Sequence, residues 1–473
     1  MAANYLHGAE IIEVEKGARP VRVVKSAVIA LLGIAPQGPI NTPTLVLNPQ
    51  DAAQFGAQAR GFSIPQALDH IFKQGSATVV VVNVFDPEEH TVEVSAETVT
   101  LEGFKGKTAF APVGSAFTLT NSGGTTTYVK GTDYTVDAFG NIQVLDTIAS
   151  GASLKATYNK IDTSAITAAL MIGSIDGATN DRTGMKCFAL TYTLFGFTPK
   201  ILIAPGYSSL NTLAAEMIAF ADANRAIALL DAPVGTTPAN AIAGRGPSGS
   251  INFNTSSKRA YLLYPHVKAL NVDTGEVDNF PYSSFMAGVI AETDNSQGYW
   301  VSPSNKEIKG ITGAERTLTA AINDASTEVN SLNENGITTI FNAFGSGIRT
   351  WGNRSAAFPS STAVDQFLNV RRTADIVHES LELASLQFID KPINNALIDA
   401  IAGSGQAFVN TLIGRGAMLP GSRVYYNPDL NPAESIAAGQ LTFSLVYVVP
   451  TPLERLTYES TLDISLFNNL GGQ

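Results

Sequence analysis

The chain is 473 residues long, 45% hydrophobic and only 15% charged, against about 25% charged in an average soluble domain. Thirty Lys and Arg against 41 Asp and Glu give a net charge of −11, and no basic run exceeds the pairs Lys258-Arg259 and Arg371-Arg372, which excludes a partner bound along a nucleic-acid backbone. Cys187 is the only thiol, excluding an intrachain disulfide and a thiolate zinc cage; at about 150 residues per domain, the length predicts three domains.

Met1 to His7 lack the charged-then-apolar pattern of a signal peptide. The early apolar run Ala27 to Ala35 falls far short of the roughly 20 residues that span a bilayer. The expectation is a protein made and folded in a cytoplasm, without direct membrane insertion. Residues 1–25 hold one strand candidate, Glu10 to Glu15 with Ile11, Ile12 and Val14, followed by Gly17 and Pro20. So short a strand must pair with something distant or foreign.

From Val21 the pattern changes to apolar β runs separated by helical stretches. Val28 to Leu32, Thr44 to Leu47 and Thr78 to Val84 read as buried strands, with a helix over Pro65 to Lys73, which predicts an α/β sheet with parallel pairing. Between residues 88 and 160 the signals are turn clusters and short β pieces. Glycines at 123, 131, 140 and 151 keep the spacing of about 8 to 12 residues expected of a small β-sandwich. The α/β pattern resumes with strands at Lys200 to Ala204, Arg225 to Asp231 and Tyr261 to Tyr264, and a helix over Leu210 to Asp222; it is expected to run to residue 345. In the last third, Val364, Phe367, Val370, Ala374, Val377, Leu381, Ala384 and Phe388 form one apolar stripe on a long helix started by Thr362 and Asp365 and stopped by Lys391-Pro392. A second helix spans Ile393 to about Leu412. Leu441 to Val449 alternates as a strand. In the final segment Leu456, Tyr458, Leu462, Ile464 and Leu466 share one face of a half-buried strand about 35 Å long.

Motifs for chemistry mostly fail. Gly244-Arg245-Gly246-Pro247-Ser248-Gly249 matches the dinucleotide pattern GxGxxG, but Pro247 removes a donor where a helix should begin and no strand immediately precedes it, so an exposed loop is the reading and an α/β nucleotide-binding enzyme the alternative. His7, His70, His90, His266 and His378 never approach metal-ligand spacing. His378, Glu379 and Glu382 read as the polar face of the long helix. Cys187 reads as a buried inert thiol. No catalytic, cofactor-binding or metal-ligating residue is assigned. Arg349, Arg354, Arg371 and Arg372 suit salt bridges or an acidic patch on a partner.

The region around the long helix carries a resemblance. Arg349 to Arg354, including Trp351-Gly352-Asn353-Arg354, and Phe367 to Asp375, including Arg371-Arg372, resemble the C-terminal domain of contractile bacteriophage tail sheath proteins. Phe388 to Pro392, Asn427 to Pro432, Pro452-Leu453-Glu454-Arg455 and the opening Leu6 to Ile11 with Val23 to Ile29 are similar too. The resemblance implies a non-enzymatic homo-oligomer, stacked as hexameric rings around an inner tail tube and meeting baseplate and tail terminator proteins. It also implies terminal arms whose strands (Ile11, Ile12, Val14; Leu456, Tyr458, Leu462, Ile464, Leu466) complete a neighbour's sheet, and contraction that drives the tube through a target envelope. A tail-derived bacteriocin or secretion particle would use the same fold. The hinges are then Gly17 with Pro20, and Pro450 with Pro452. The expected division is an N-terminal arm (1–25), an α/β body (26–87 and 161–345), an inserted β domain (88–160), a C-terminal α+β assembly domain (346–454) and a C-terminal strand arm (455–473). The low charge content then reads as surface reserved for other copies of the chain.

Overall fold

A computed structural model describes residues 20–470 except 343, 344 and 346; the expected strand at Ile11, Ile12 and Val14, and Gly17, lie outside these residues. The body is an eight-stranded sheet. Its strands are β1 (Val28–Gly33), β2 (Thr44–Val46), β3 (Thr78–Asn83), β4 (Ile201–Ile203), β5 (Ile227–Asp231), β6 (Ala260–Leu263), β7 (Ile337–Asn342) and β8 (Ile348–Trp351), in the order β8-β7-β6-β5-β4-β1-β3-β2. Strands β7 to β3 in that order pair in parallel, and the two edges, β8 and β2, run antiparallel.

Period-two alternation sends the side chains of each central strand to opposite layers. Val28, Ala30 and Leu32 enter one core with Val80, Leu202 and Leu230, while Ile29 and Leu31 enter the other with Val79, Ile201 and Leu229. Helix α1 (Ile64–Gln74) and the later helix α3 (Tyr282–Ser296) cover the second layer, and α2 (Asn211–Ala223) covers the first through Leu213, Ala214, Met217 and Ala221. Burial on both faces explains why these strands are continuous apolar runs. Each fully buried Val or Leu contributes about 1.5–3 kcal/mol.

His70 of α1 is packed in the second layer. Its ring stacks on Phe285 with centroids 4.1 Å apart and meets Phe280 edge-on, and Nδ1 lies 3.1 Å from Ser284 Oγ. Burial, helped by the Lys73 charge, pushes its pKa down to about 3. Below the ordinary value of 6.5 the unfolded chain therefore takes up a proton that the native state refuses, so this group's contribution to stability falls as pH drops from 6.5 toward 3. The loss from this residue is about 2 kcal/mol at pH 5. Urea midpoints at pH 7.5 and 5.0 should show it, and His70→Gln should show a smaller difference between the two pH values.

The regular elements of residues 91–161 are all strands. Thr91–Thr100, Ser153–Ile161, Val113–Asn121 and Thr127–Tyr128 form one antiparallel sheet, and Lys105–Lys107, Asn141–Val144 and Tyr134–Val136 another. The two share a core that includes Val99, Leu119, Tyr134, Ile142 and Tyr158. This unit is tied to the body by Asp273, whose fully buried carboxylate accepts from Arg60 (3.1 Å) and Lys107 (2.7 Å), while Arg60 also donates to the carbonyls of Ala109 and Phe139.

Two expectations need correction here. The body sheet does not stop at 345: β8 is its edge strand, so the boundary expected between 345 and 346 falls inside the β7–β8 hairpin. A break in apolar periodicity marked the turn, not the end of the sheet. The long helix, α4 (Leu368–Ser385), starts later than Thr362, after a 3₁₀ turn at Val364–Gln366, and its N-cap is Phe367 with no side-chain cap. Val364, which begins the expected stripe, is 55% exposed. Helix α5 (Asn395–Gly414) follows, capped by Asn394, and then the antiparallel pair β9 (Arg423–Tyr426) and β10 (Phe443–Val446). Ile376 and Val377 of α4 and Phe408, Val409 and Leu412 of α5 form one cluster with Tyr299, Ala417 and Met418. By length and composition α5 alone among the described helices could cross a membrane, at mean hydropathy 1.2, but its buried side chains pack in that cluster.

Candidate assembly joint and terminal arms

The Trp-Gly-Asn-Arg block is where the sheet edge turns into the C-terminal region. Trp351 ends β8 and packs its ring 4.8 Å from that of Phe341. Gly352 has φ +126°, its amide donates to Ser304 Oγ (3.0 Å), and its carbonyl accepts from the Tyr261 hydroxyl (2.6 Å). Asn353 donates through Nδ2 to Asn369 Oδ1 (2.8 Å) on α4, and Asn369 Nδ2 donates to the carbonyls of Trp300 (2.9 Å) and Pro450 (3.4 Å). Arg354 reaches Glu454 with two forks of its guanidinium. The block is thus an intrachain joint between the sheet edge, α4 and the root of the C-terminal segment.

The polar face of α4 is packed against the body. Arg372 makes a bidentate contact to Asp294 (2.8 and 2.6 Å), with both side chains under 5% exposed, and its Nη2 also donates to the Ser26 carbonyl (3.1 Å). Arg259 pairs with Asp375, Lys200 with Glu379, Arg225 with Glu382 (2.6 Å) and Lys258 with Asp365 (2.6 Å). Arg371 pairs within the helix to Asp375 (2.8 Å). His378 faces Tyr447, its Nε2 lying 3.1 Å from the hydroxyl. The carboxylates of the helix, Asp375, Glu379 and Glu382, are thus held by body cations. These partners lie far apart in sequence, and helical periodicity predicts only that a polar face exists. Charge that is scarce over the chain is concentrated in this seam, which qualifies the expectation that the low charge content simply marks surface for other copies.

The 244–249 loop follows the C-terminus of a short helix, Pro238–Ala243, instead of opening one, so no helix N-terminus faces a phosphate there. Its arginine has another use. The Arg245 guanidinium donates to five carbonyls, those of Phe253, Thr255, Asn335, Ala356 and Phe358. Burial lowers its pKa to about 10, so it stays cationic at neutral pH. Sequence reasoning missed this clamp because its partners are backbone atoms. Arg245→Ala strands those acceptors and is expected to cost about 2–3 kcal/mol in urea unfolding. Cys187 is buried, with Sγ near the carbonyls of Asn41 and Arg182, and burial pushes its thiol up to about 11. Among the described residues no group of His, Cys, Asp and Glu could hold a metal ion.

Described segments near both ends of the chain pack on α4. At the N-terminal side Pro20 is exposed, Val21 and Val24 pack on the α4–α5 cluster, and the Val24 amide donates to Ser380 Oγ (3.2 Å). At the C-terminal side Val449 is buried beside Phe367 and Val370, and Pro450 and Pro452 are half-buried. Glu454, beyond both prolines, is held by Arg354. The expected C-terminal strand is not a strand within one chain: residues 451–463 have no regular structure and Ile464–Asn469 is a 3₁₀ turn. A strand needs a partner's hydrogen bonds, and none is supplied here. Leu456, Tyr458, Leu462, Ile464 and Leu466 are 61%, 84%, 94%, 80% and 62% exposed.

The family profile described as "Phage tail sheath protein central domain" matches residues 180–356. The tail sheath protein of Burkholderia phage BcepMu is 50% identical over 477 aligned positions, covering 100% of both chains. That of Escherichia phage P2 is 23% identical over 99% of this chain and 98% of its own. In fold, the chain is similar to the helical sheath of the anti-feeding prophage in its contracted state, with TM-score 0.61 and 15% identity over 98% of this chain and 100% of that one. It is also similar to the contracted PVC sheath of an extracellular contractile injection system, with TM-score 0.60 and 15% identity over 98% and 99%. Full-length identity at this level, on top of a matching fold, makes the chain a member of the phage tail sheath protein family.

Proposed function

We propose that this chain is the non-enzymatic structural subunit of a contractile tail sheath, assembled in the host cytoplasm. It polymerises as stacked hexameric rings around an inner tube, meets baseplate and terminator proteins, and shortens to drive the tube through an envelope. Residues 88–160 form an inserted β domain on the α/β body, residues beyond the β7–β8 hairpin form the assembly domain, and the two arms link subunits by strand exchange, with Ile11, Ile12 and Val14 in the N-terminal one. The phage reading stands ahead of a tail-derived particle because of the full-length identity to a phage protein.

The observation that carries this reading is the C-terminal arm. A segment with Leu453, Leu456, Tyr458, Leu462, Ile464, Leu466, Phe467 and Leu470 all exposed is an aggregation hazard on a monomer and is resolved by donation to a neighbour. Among the described residues no third strand pairs with β9 or β10, and strand addition gives affinity through main-chain hydrogen bonds. Deleting residues 456–473 is expected to abolish long striated tubes in negative-stain microscopy while leaving a folded monomer. Normal tubes from the truncated chain would contradict strand exchange by this arm.

A further inference from the structure

Two short sequence blocks, one at the joint and one at the root of the arm, are each other's partners. Arg354 Nε lies 3.0 Å from both carboxylate oxygens of Glu454, and Nη2 donates to Oε2 at 2.5 Å. The same guanidinium lies over Phe358, 3.9 Å from the ring centroid, and over Phe367 at 4.9 Å. Phe367 is the N-cap of α4 and forms a backbone bridge with Arg354. Upstream of Glu454 the chain is held by the burial of Val449 and by Asn369 on the Pro450 carbonyl. Downstream, residues 455–470 are exposed wherever their side chains are described, and the hydrogen bonds there run between close neighbours, as from the Ser465 amide to Asp463.

We infer that Arg354 is the positioning residue of the C-terminal arm: through Glu454 it fixes the point and direction from which residues 455–470 leave the subunit. The inference rests on the reading that this arm is donated to a neighbour. A planar guanidinium in contact with two rings has its orientation restricted before it meets the carboxylate, and a bidentate fork transmits that orientation to Glu454 in a way a lysine could not. The pair is partly solvated, with side chains 23% and 38% exposed, so it adds little to the stability of the isolated chain. Its effect lies in narrowing the directions the arm samples, which reduces the entropy lost when the arm docks.

The test uses the full chain with Glu454→Gln, Arg354→Lys and the swap Arg354→Glu with Glu454→Arg. Thermal midpoints of the monomers are expected to stay close to that of the parent chain. The critical concentration for polymerisation is expected to rise about fivefold in the single variants, the size of effect a partly exposed charged pair can exert, and to recover in part in the swap. Spin labels on Thr362→Cys and Leu456→Cys, measured without polymerisation, should give a narrow distance distribution in the parent and a broad one in Glu454→Gln. An unchanged distribution, or a thermal midpoint that falls in step with the loss of assembly, would overturn the inference. Normal polymerisation of the chain lacking residues 456–473 would instead remove the strand-donation reading, and the spin-label result would still report on the Arg354 contact by itself.

Discussion

Arg372→Ala is expected to destabilise the protein by about 3–5 kcal/mol, the range seen when one partner of a buried ion pair is removed. Asp294 is 1% exposed at its side chain and takes two hydrogen bonds from this guanidinium, so the variant leaves a carboxylate buried without its counter-charge and the Ser26 carbonyl without its donor. For a chain of 473 residues the thermal midpoint should fall by about 3–5 °C. Removing both charges with apolar residues of similar volume, Arg372→Met with Asp294→Leu, should recover most of the loss, because desolvation of the pair offsets much of its attraction. If the double variant is as unstable as the single one, the cost comes from the helix packing and not from the stranded charge. A loss below about 1 kcal/mol in the single variant would show the seam to be as weak as an exposed pair.

Gly352→Val should have a comparable effect for a different reason. The backbone at 352 sits at φ +126°, a region closed to β-branched residues at a cost of about 1–3 kcal/mol. A Cβ there would also lie 2.5 Å from Asn333 Oδ1 and 3.1 Å from Thr338 Cα, so the Asn333 side chain must move and the β7 backbone must give by a few tenths of an ångström. The combined cost is expected to be about 4 kcal/mol, read as a drop in the urea midpoint, and assembly should fall with stability. Gly352→Ala keeps the Cβ contacts and the strain but lacks the two Cγ methyls of valine, so it should fall between the parent and the valine variant. Equal stability of all three would mean that the turn relaxes freely and that the joint is not rigid.

Local pattern carried much of the architecture. The runs at Val28–Gly33 and Thr78–Asn83 and the stripe through Val370, Ala374 and Val377 were legible because burial on a strand or helix leaves a periodic trace in the sequence itself. The start of α4 was misread because Thr362 and Asp365 are good cap residues by type, while the chain makes a 3₁₀ turn there and opens the helix at Phe367 without a side-chain cap. The β7–β8 hairpin was read as a boundary for a related reason: an antiparallel edge strand breaks the βαβ rhythm without leaving the sheet. The pairs Lys200–Glu379, Arg259–Asp375 and Arg372–Asp294 could not be read at all, since nothing in spacing tells which cation meets which carboxylate across more than 70 residues. The C-terminal segment is the inverse case. Its alternation of Leu456, Tyr458, Leu462, Ile464 and Leu466 is clear in sequence, yet within one chain those residues stay exposed and unpaired in any sheet.

That mismatch between a strand-like pattern and an exposed segment is the central claim, and cryo-electron microscopy of polymerised protein tests it most directly. Residues 456–466 are predicted to form a strand against β9 or β10 of a neighbouring subunit, with Leu456, Tyr458 and Leu462 turned toward that subunit's α4–α5 cluster. Density showing the segment folded back on its own chain, or still exposed on the lattice while the tubes remain intact, would contradict the account.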